Sequence, residues 1–160
     1  LLNNFPLSAM GVSIYDPMEW VKPYRKGIDL VYQFPLNVVD RRFEKVDLPM
    51  GKRYARSIFL QGLLVSRNNL KPELGKHLSV FHEKYHVLLK QQKISPIDFA
   101  LTFVYNCGAA DYFLFGVEKV AQIRGITHSS ILDTKRFSDI AAQLPILNRK
   151  YCDPRSWTAT

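Results

Sequence analysis

One run of the chain, Ile28-Asp29-Leu30-Val31-Tyr32-Gln33-Phe34-Pro35-Leu36-Asn37, is almost continuously apolar as far as Phe34 and ends on a polar residue. Such a run is typical of a strand that is buried on both faces, as in a parallel sheet. Two more runs, Gly11–Tyr15 and Tyr54–Gly62, also follow turn or charged residues and close on small or polar ones. Strand, polar exit and helix in that order predict an α/β fold with parallel strands, whose ligands bind beyond the carboxyl ends of the strands.

Helix signals alternate with these runs. Ser95-Pro96-Ile97-Asp98 is a strong helix start, with Ser as the N-cap, Pro at the first helical position and an acid at the third. Across Leu74–Leu89 the apolar residues recur at spacings of three and four, which predicts a long helix. Tyr112–Gly116 is a fourth strand-like run. The other predicted helices are Met18–Arg25, a helix or turn at Val38–Lys45, Ile97–Asn106, Glu118–Arg124 and Ile131–Leu144.

The composition predicts one globular domain over residues 1–160. The chain has 160 residues, 47% apolar and 22% charged, enough for a single core. Its apolar runs are far shorter than the roughly 20 residues of a membrane helix. The net charge of +8 is spread along the chain without a nucleic-acid-binding motif. We therefore expect no membrane and no nucleic-acid partner.

Two features bear on location. The two cysteines, Cys107 and Cys152, are too few for a disulfide scaffold, which favours a cytoplasmic protein. The opening residues lack the basic start and long apolar core of a signal peptide. They also lack an initiating Met, so the sequence is expected to start inside a longer protein.

Taken in order, several segments resemble the carboxyl-terminal half of the aldo/keto reductase barrel, most closely the branch associated with polysaccharide biosynthesis. The segments that carry this resemblance are Gly11–Tyr15, Val31–Asn37 and Arg56–Leu64 for the family's fifth to seventh strands, Ser95–Leu101 for the helix before the eighth strand, and Leu114–Glu118 with Ala121–Ile123 for the eighth strand and its phosphate-binding helix. The resemblance implies a partial TIM-type (β/α)8 barrel of about four βα units. It also implies a nicotinamide cofactor, NADP or NAD, and a small carbonyl substrate, with no metal.

The resemblance assigns cofactor-binding roles to ten residues. Ser13 and Gln33 would hydrogen-bond the nicotinamide carboxamide. Arg56 stands where many members place an aromatic residue on the nicotinamide, and its planar guanidinium is able to stack too. The remaining positions would lie along the pyrophosphate loop, Ser57, Phe59, Gln61 and Gly62, and near the adenosine phosphate, Gly116, Val117 and Gln122.

The chain also departs from the family pattern. Ile14 replaces an Asn that usually binds the carboxamide, and Gln122 stands where an Arg or Lys often grips the 2′-phosphate of NADP. The family's catalytic Asp, Tyr, Lys and His belong to its first four strands, and no segment here resembles those strands. The expected module therefore binds the cofactor but carries none of the catalytic residues.

A rival motif is His82-Glu83-Lys84-Tyr85-His86, a literal H-E-x-x-H. On a helix, His82 and His86 would share one face and bind zinc, with Glu83 activating a water molecule. Lys84 is unusual between such histidines, and no third ligand stands out. The alternative is a helix whose apolar stripe includes Tyr85 and leaves both histidines partly exposed.

Three hypotheses follow. The chain is the cofactor-binding half of an aldo/keto reductase-like oxidoreductase, truncated or separately encoded. Alternatively, it is a non-catalytic half-barrel that self-associates or pairs with another half, because open strand edges tend to pair. The third is a zinc hydrolase that uses His82, Glu83 and His86. The substrate loops carry no decisive chemistry, and only the resembling branch points to sugar-linked carbonyl compounds.

Overall fold

A computed structural model describes residues 9–20, 29–48, 50–69, 75–145, 147, 149–154 and 157. Its four strands form one sheet in the order β1-β2-β3-β4, and every neighbouring pair is parallel. The strands are β1 Ala9–Ser13, β2 Asp29–Pro35, β3 Gly51–Arg56 and β4 Tyr112–Phe113. The predicted α/β class with parallel strands is confirmed.

Within the described residues, five α-helices accompany the sheet. They are α1 Gly75–Gln91, α2 Pro96–Cys107, α3 Val120–Thr127, α4 Thr134–Ala141 and α5 Arg149–Cys152. Short 3-10 turns cover Pro17–Trp20 and Arg67–Asn69. Helix α2 starts with Pro96 at its first turn and ends at Gly108, whose φ of 65° is the left-handed conformation that favours glycine. None of the helices in the described part of the chain is long and apolar enough to cross a membrane.

Some predictions need correction, among them the fourth strand-like run Tyr112–Gly116, of which only Tyr112–Phe113 is a strand. The predicted helix Met18–Arg25 is a 3-10 turn as far as Trp20, and its remainder lies outside the described residues. The segment Val38–Lys45, predicted as a helix or turn, consists of bends and turns, in which the side chain of Asn37 accepts the amide hydrogens of Val39 and Asp40. The third strand ends at Arg56 rather than Gly62, because Ser57 adopts a left-handed φ of 59°.

The two faces of the sheet have different surroundings. Tyr32 and Phe34 of β2 are fully buried and join residues of α1 and α2 in the hydrophobic core. The opposite face carries a row of register partners, one from each strand, and none of the four is buried. We call this the open row: Ser13, Gln33, Tyr54 and Tyr112. Since helices cover only one face, the sheet has the layering of a barrel wall whose interior side is uncovered within the described residues.

Candidate cofactor-binding cleft

The carboxyl ends of β1, β2 and β3 bring together three of the predicted site residues. Ser13 and Gln33 are register partners at the ends of β1 and β2. The guanidinium carbon of Arg56 lies 4.0 Å from the centre of the Tyr15 ring, a cation–π contact. Its Nη2 donates to the main-chain oxygen of Ile14 at 3.4 Å. Arg56 is thus held across the end of β1 by Tyr15 and Ile14.

The loop that follows β3, Ser57–Ser66, is a compact series of turns that we call the cleft loop. Several of its amides donate to main-chain oxygens of the same loop: Leu60 donates to the oxygen of Ser57 at 2.9 Å, and Leu63 donates to the oxygen of Leu60 at 3.0 Å. Three non-glycine residues of this loop, Ser57, Leu60 and Gln61, have left-handed φ angles of 59°, 45° and 55°. Such backbone costs about 1–2 kcal/mol per non-glycine residue, so the surrounding contacts must hold the loop in this shape.

A buried polar network that the sequence analysis missed supplies part of that support. Asn37 is fully buried and donates from Nδ2 to the main-chain oxygen of Ser57 at 3.0 Å. Asp40 is 1% exposed and pairs with Arg42, whose Nη2 lies 2.6 Å from Oδ2. This hydrogen bond is the main reason why the pKa of Arg42 is raised. Arg42 also donates to the main-chain oxygen of Tyr15 at 2.8 Å, so the network ties the ends of three strands together.

The cleft loop forms one wall of a cleft of about 1020 Å³. The segment after β4 and the first turns of α3 form the other wall, and Phe59 and Phe115 face each other across 6.2 Å. Seven of the ten predicted cofactor-binding residues line this cleft: Ser57, Phe59, Gln61, Gly62, Gly116, Val117 and Gln122. Ser13, Gln33 and Arg56 are not part of its lining. The structure therefore brings together the two predicted phosphate segments, which are more than fifty positions apart in the sequence.

The start of α3 is organised by Gln122. Its side-chain oxygen accepts the amide hydrogens of Glu118 at 2.7 Å and Lys119 at 3.0 Å. These two amides are therefore satisfied within the helix start itself. Among the residues that line the cleft, Lys119 is the one cation and Glu118 the one anion. The described lining thus offers a single positive side chain to a phosphate group.

The histidines of the H-E-x-x-H motif lie on α1 and are buried, with 3% and 4% of their surface exposed. The prediction that they are partly exposed is wrong. The Nε2 of His82 lies 3.1 Å from the main-chain oxygen of Ser66, and the Nε2 of His86 lies 3.1 Å from that of Leu63. Glu83 pairs instead with Arg67 at 2.8 Å on the surface. Within the described residues, no group of three His, Cys, Asp or Glu side chains is arranged to hold a metal ion.

Comparison with solved structures identifies the fold. The chain is similar to the glycerol dehydrogenase AKR11B4 from Gluconobacter oxydans, with 23% identity and a TM-score of 0.57 over 91% of this chain. It is also similar to the aldo-keto reductase AKR11C1 from Bacillus halodurans, with 17% identity and a TM-score of 0.63 to the holo form. The apo form of that enzyme matches with 15% identity and the same TM-score.

The chain spans about half the length of these relatives, between 51% and 54%. No protein family model matches its sequence. No curated protein matches it either. The structure is therefore that of a partial aldo-keto reductase barrel, which confirms the resemblance at the level of the fold.

Proposed function

We propose that this chain is the cofactor-binding half of an aldo/keto reductase-like carbonyl reductase, corresponding to the carboxyl-terminal half of the barrel. The observation that carries the proposal is the convergence of seven sequence-predicted residues on one cleft at the carboxyl end of the sheet. Ligands of parallel α/β folds bind at that end of the strands. Two segments that pack together only in the folded state would then hold one extended ligand.

The residues fit a dinucleotide in three respects. The cleft, at about 1020 Å³, is at the upper end of the roughly 300–1,000 Å³ that ligand sites occupy. The cleft loop combines turns with the left-handed residues Ser57, Leu60 and Gln61, and turn backbone of this kind forms anion-binding concavities in other proteins. Lys119 supplies one positive charge for a phosphate.

The nicotinamide ring would lie toward the open row, beyond the lining of the cleft. Ser13 and Gln33 are neighbours there and offer a hydroxyl and an amide for the carboxamide. Arg56, fixed on Tyr15, would border the ring. When bound, the cofactor supplies the hydride that reduces a carbonyl carbon. The described chain orients this cofactor, and the proton donor and its partners would come from a complementary half.

A titration with NADPH and with NADH tests the proposal. We expect the purified chain to bind at least one of them, as followed by calorimetry. Gly116 is the position for a blocking variant, because a Cβ added there meets no atom within 4 Å, so the fold tolerates a larger side chain. Gly116→Trp should fill the cleft and abolish binding.

Val120→Trp is the matched control. Val120 is 66% exposed on α3 and does not line the cleft, so this variant should bind like the wild type. Absence of binding by the wild-type chain, or full binding by Gly116→Trp, would refute a dinucleotide site in this cleft.

The second candidate is a half-barrel that pairs with a copy of itself or with another half. It is favoured by the open row, which includes Tyr112 at 46% exposed, stacked on Tyr54 with ring centres 4.8 Å apart. Among the described strands, β1 and β4 are the two edges of the sheet, and unpaired edges associate. Sedimentation over a range of concentrations distinguishes a monomer from a dimer. A charged residue at the stack, Tyr112→Lys, should dissociate any dimer that forms through this face.

A further inference from the structure

Helix α1 contacts the cleft loop through two buried histidines whose spacing matches that of two main-chain oxygens. His82 and His86 are one helical turn apart, so their rings lie on the same face of α1. The ring centres are 4.4 Å apart. Leu63 and Ser66, whose oxygens they reach, are three positions apart in the loop. Two hydrogen bonds therefore join one helical turn to one turn of the loop.

The chemistry of these contacts fixes the state of the rings. A main-chain carbonyl oxygen only accepts hydrogen bonds, so each Nε2 must carry a hydrogen and donate it. Two buried imidazolium ions at this ring separation would repel each other at high energetic cost. Burial lowers the pKa of His86, and the neutral form that this favours donates from Nε2 as the Nε2–H tautomer.

We infer that His82 and His86 are positioning residues, which hold the cleft loop in its left-handed conformation by donating hydrogen bonds to its main-chain oxygens. Neither histidine lines the cleft. They act on it through Leu63 and Ser66, in the same loop as the strained residues Leu60 and Gln61. The consequence for ligand affinity rests on the proposed function, whereas the effect on the loop does not.

The test exploits the lengths of amide side chains. The side-chain nitrogen of Gln lies about as far from the backbone as the Nε2 of histidine does. The side-chain nitrogen of Asn lies only as far from it as the Nδ1 of histidine. Amide hydrogen exchange is measured by mass spectrometry for the wild type and for His86→Gln, His86→Asn, His82→Gln and His82→Asn. We expect the Asn variants to exchange the loop amides of residues 60–66 about tenfold faster or more, through local opening. Strand β2 should keep its wild-type protection, and the Gln variants should restore slow exchange in the loop.

His77→Asn is the matched control, because His77 is exposed on the same helix and its ring lies beside Tyr151 rather than the loop. It should leave exchange in the loop unchanged. Equal acceleration in β2 and in the loop would indicate only a general loss of stability and would overturn the inference. So would loop exchange that is unchanged in the Asn variants, or that the Gln variants fail to restore.

Titrations with NADPH and with NADH separate the two proposals. If the wild type binds, the Asn variants should bind about tenfold more weakly or worse, since part of the binding energy then orders the loop. Equal affinity in these variants would overturn the link between the histidines and the cleft. If the wild type binds neither cofactor while the loop opens as expected, the proposed function fails and the positioning role stands.

Discussion

Asn37 donates a hydrogen bond from its side-chain nitrogen to the main-chain oxygen of Ser57, 3.0 Å away. The two residues follow neighbouring strands, β2 and β3, and Ser57 is the first left-handed residue of the cleft loop. The same Asn37 side chain accepts two amide hydrogens from the turn that follows it. One buried side chain thus determines both the turn after β2 and the direction in which the chain leaves β3.

Replacing this side chain should be costly. Asn37→Ala removes three hydrogen bonds from a fully buried site, and we expect a loss of roughly 2–4 kcal/mol in the free energy of unfolding. Urea denaturation measures this change. Asn106→Ala is the control, because Asn106 is exposed near the end of α2 and should change stability by less than about 0.5 kcal/mol. Similar values for both variants would mean that the Asn37 contacts do not support the fold.

Gln61 is a position where glycine should stabilise the folded protein. Its φ of 55° is unfavourable for a residue with a Cβ, and its side chain is exposed. We expect Gln61→Gly to raise the free energy of unfolding by up to about 1 kcal/mol, after the loss of backbone entropy is subtracted. Lys84→Gly, exposed within α1, should lower it by about 1 kcal/mol. Thermal unfolding of the pair should therefore show shifts of opposite sign.

The stability of the chain should decline in mild acid because of His86. Burial lowers the pKa of His86, against a smaller opposite effect of the hydrogen bond to Leu63. Below its ordinary pKa of about 6.5, the unfolded chain takes up a proton that the folded chain resists. Above about pH 7 neither state takes up this proton, so His86 has no effect on the pH dependence of stability. As the pH falls below that value, the free energy of unfolding decreases until the folded ring is itself protonated.

Comparison with His86→Gln isolates this effect. The other histidines are the same in both proteins, so the free energy of unfolding of the wild type should fall relative to that of the variant as the pH is lowered from about 8 to about 5. Denaturation at several pH values measures it. A difference that stays constant across this range would contradict the expectation.

Tyr85 carries a hydroxyl that lacks a hydrogen-bond partner among the described residues, although its side chain is fully buried. Burial also raises its pKa. Because an unsatisfied buried polar group costs about 1–3 kcal/mol, Tyr85→Phe should leave the chain equally stable or stabilise it by as much as about 1 kcal/mol. Tyr112→Phe, at an exposed hydroxyl, serves as the neutral reference in the same calorimetric measurement. A clear loss of stability in Tyr85→Phe alone would reveal a hydrogen bond to this hydroxyl.

The sequence was sufficient to predict the parallel strands and helices α1 and α2, because these depend on local hydrophobic periodicity and on signals such as Ser95-Pro96 and Gly108. The cleft residues were predicted from the resemblance, and seven of them do lie together. Their binding roles remain a prediction.

The rest depends on contacts between distant residues. The residue types of Ser57 and Leu60 do not predict their left-handed backbone, since neither is a glycine. The burial of His86 follows from a partner 23 positions away in the chain. An Asn at a strand exit, such as Asn37, was the one local signal of the missed network, because Asn often caps the turn that follows it.

The short length of β4 predicts the order in which the strands of the sheet separate on unfolding. Only two register pairs, Tyr54 with Tyr112 and Ala55 with Phe113, join this strand to β3, whereas six join β2 to β3. The cleft wall formed by the segment after β4 depends on this short pairing of β4 with β3. Cooperative units with little pairing open at free energies well below that of global unfolding. We therefore expect β4 to pair with β3 last during folding and to separate from it first on heating or under mechanical force. The cleft would be lost at that point, while β1, β2 and β3 remain paired.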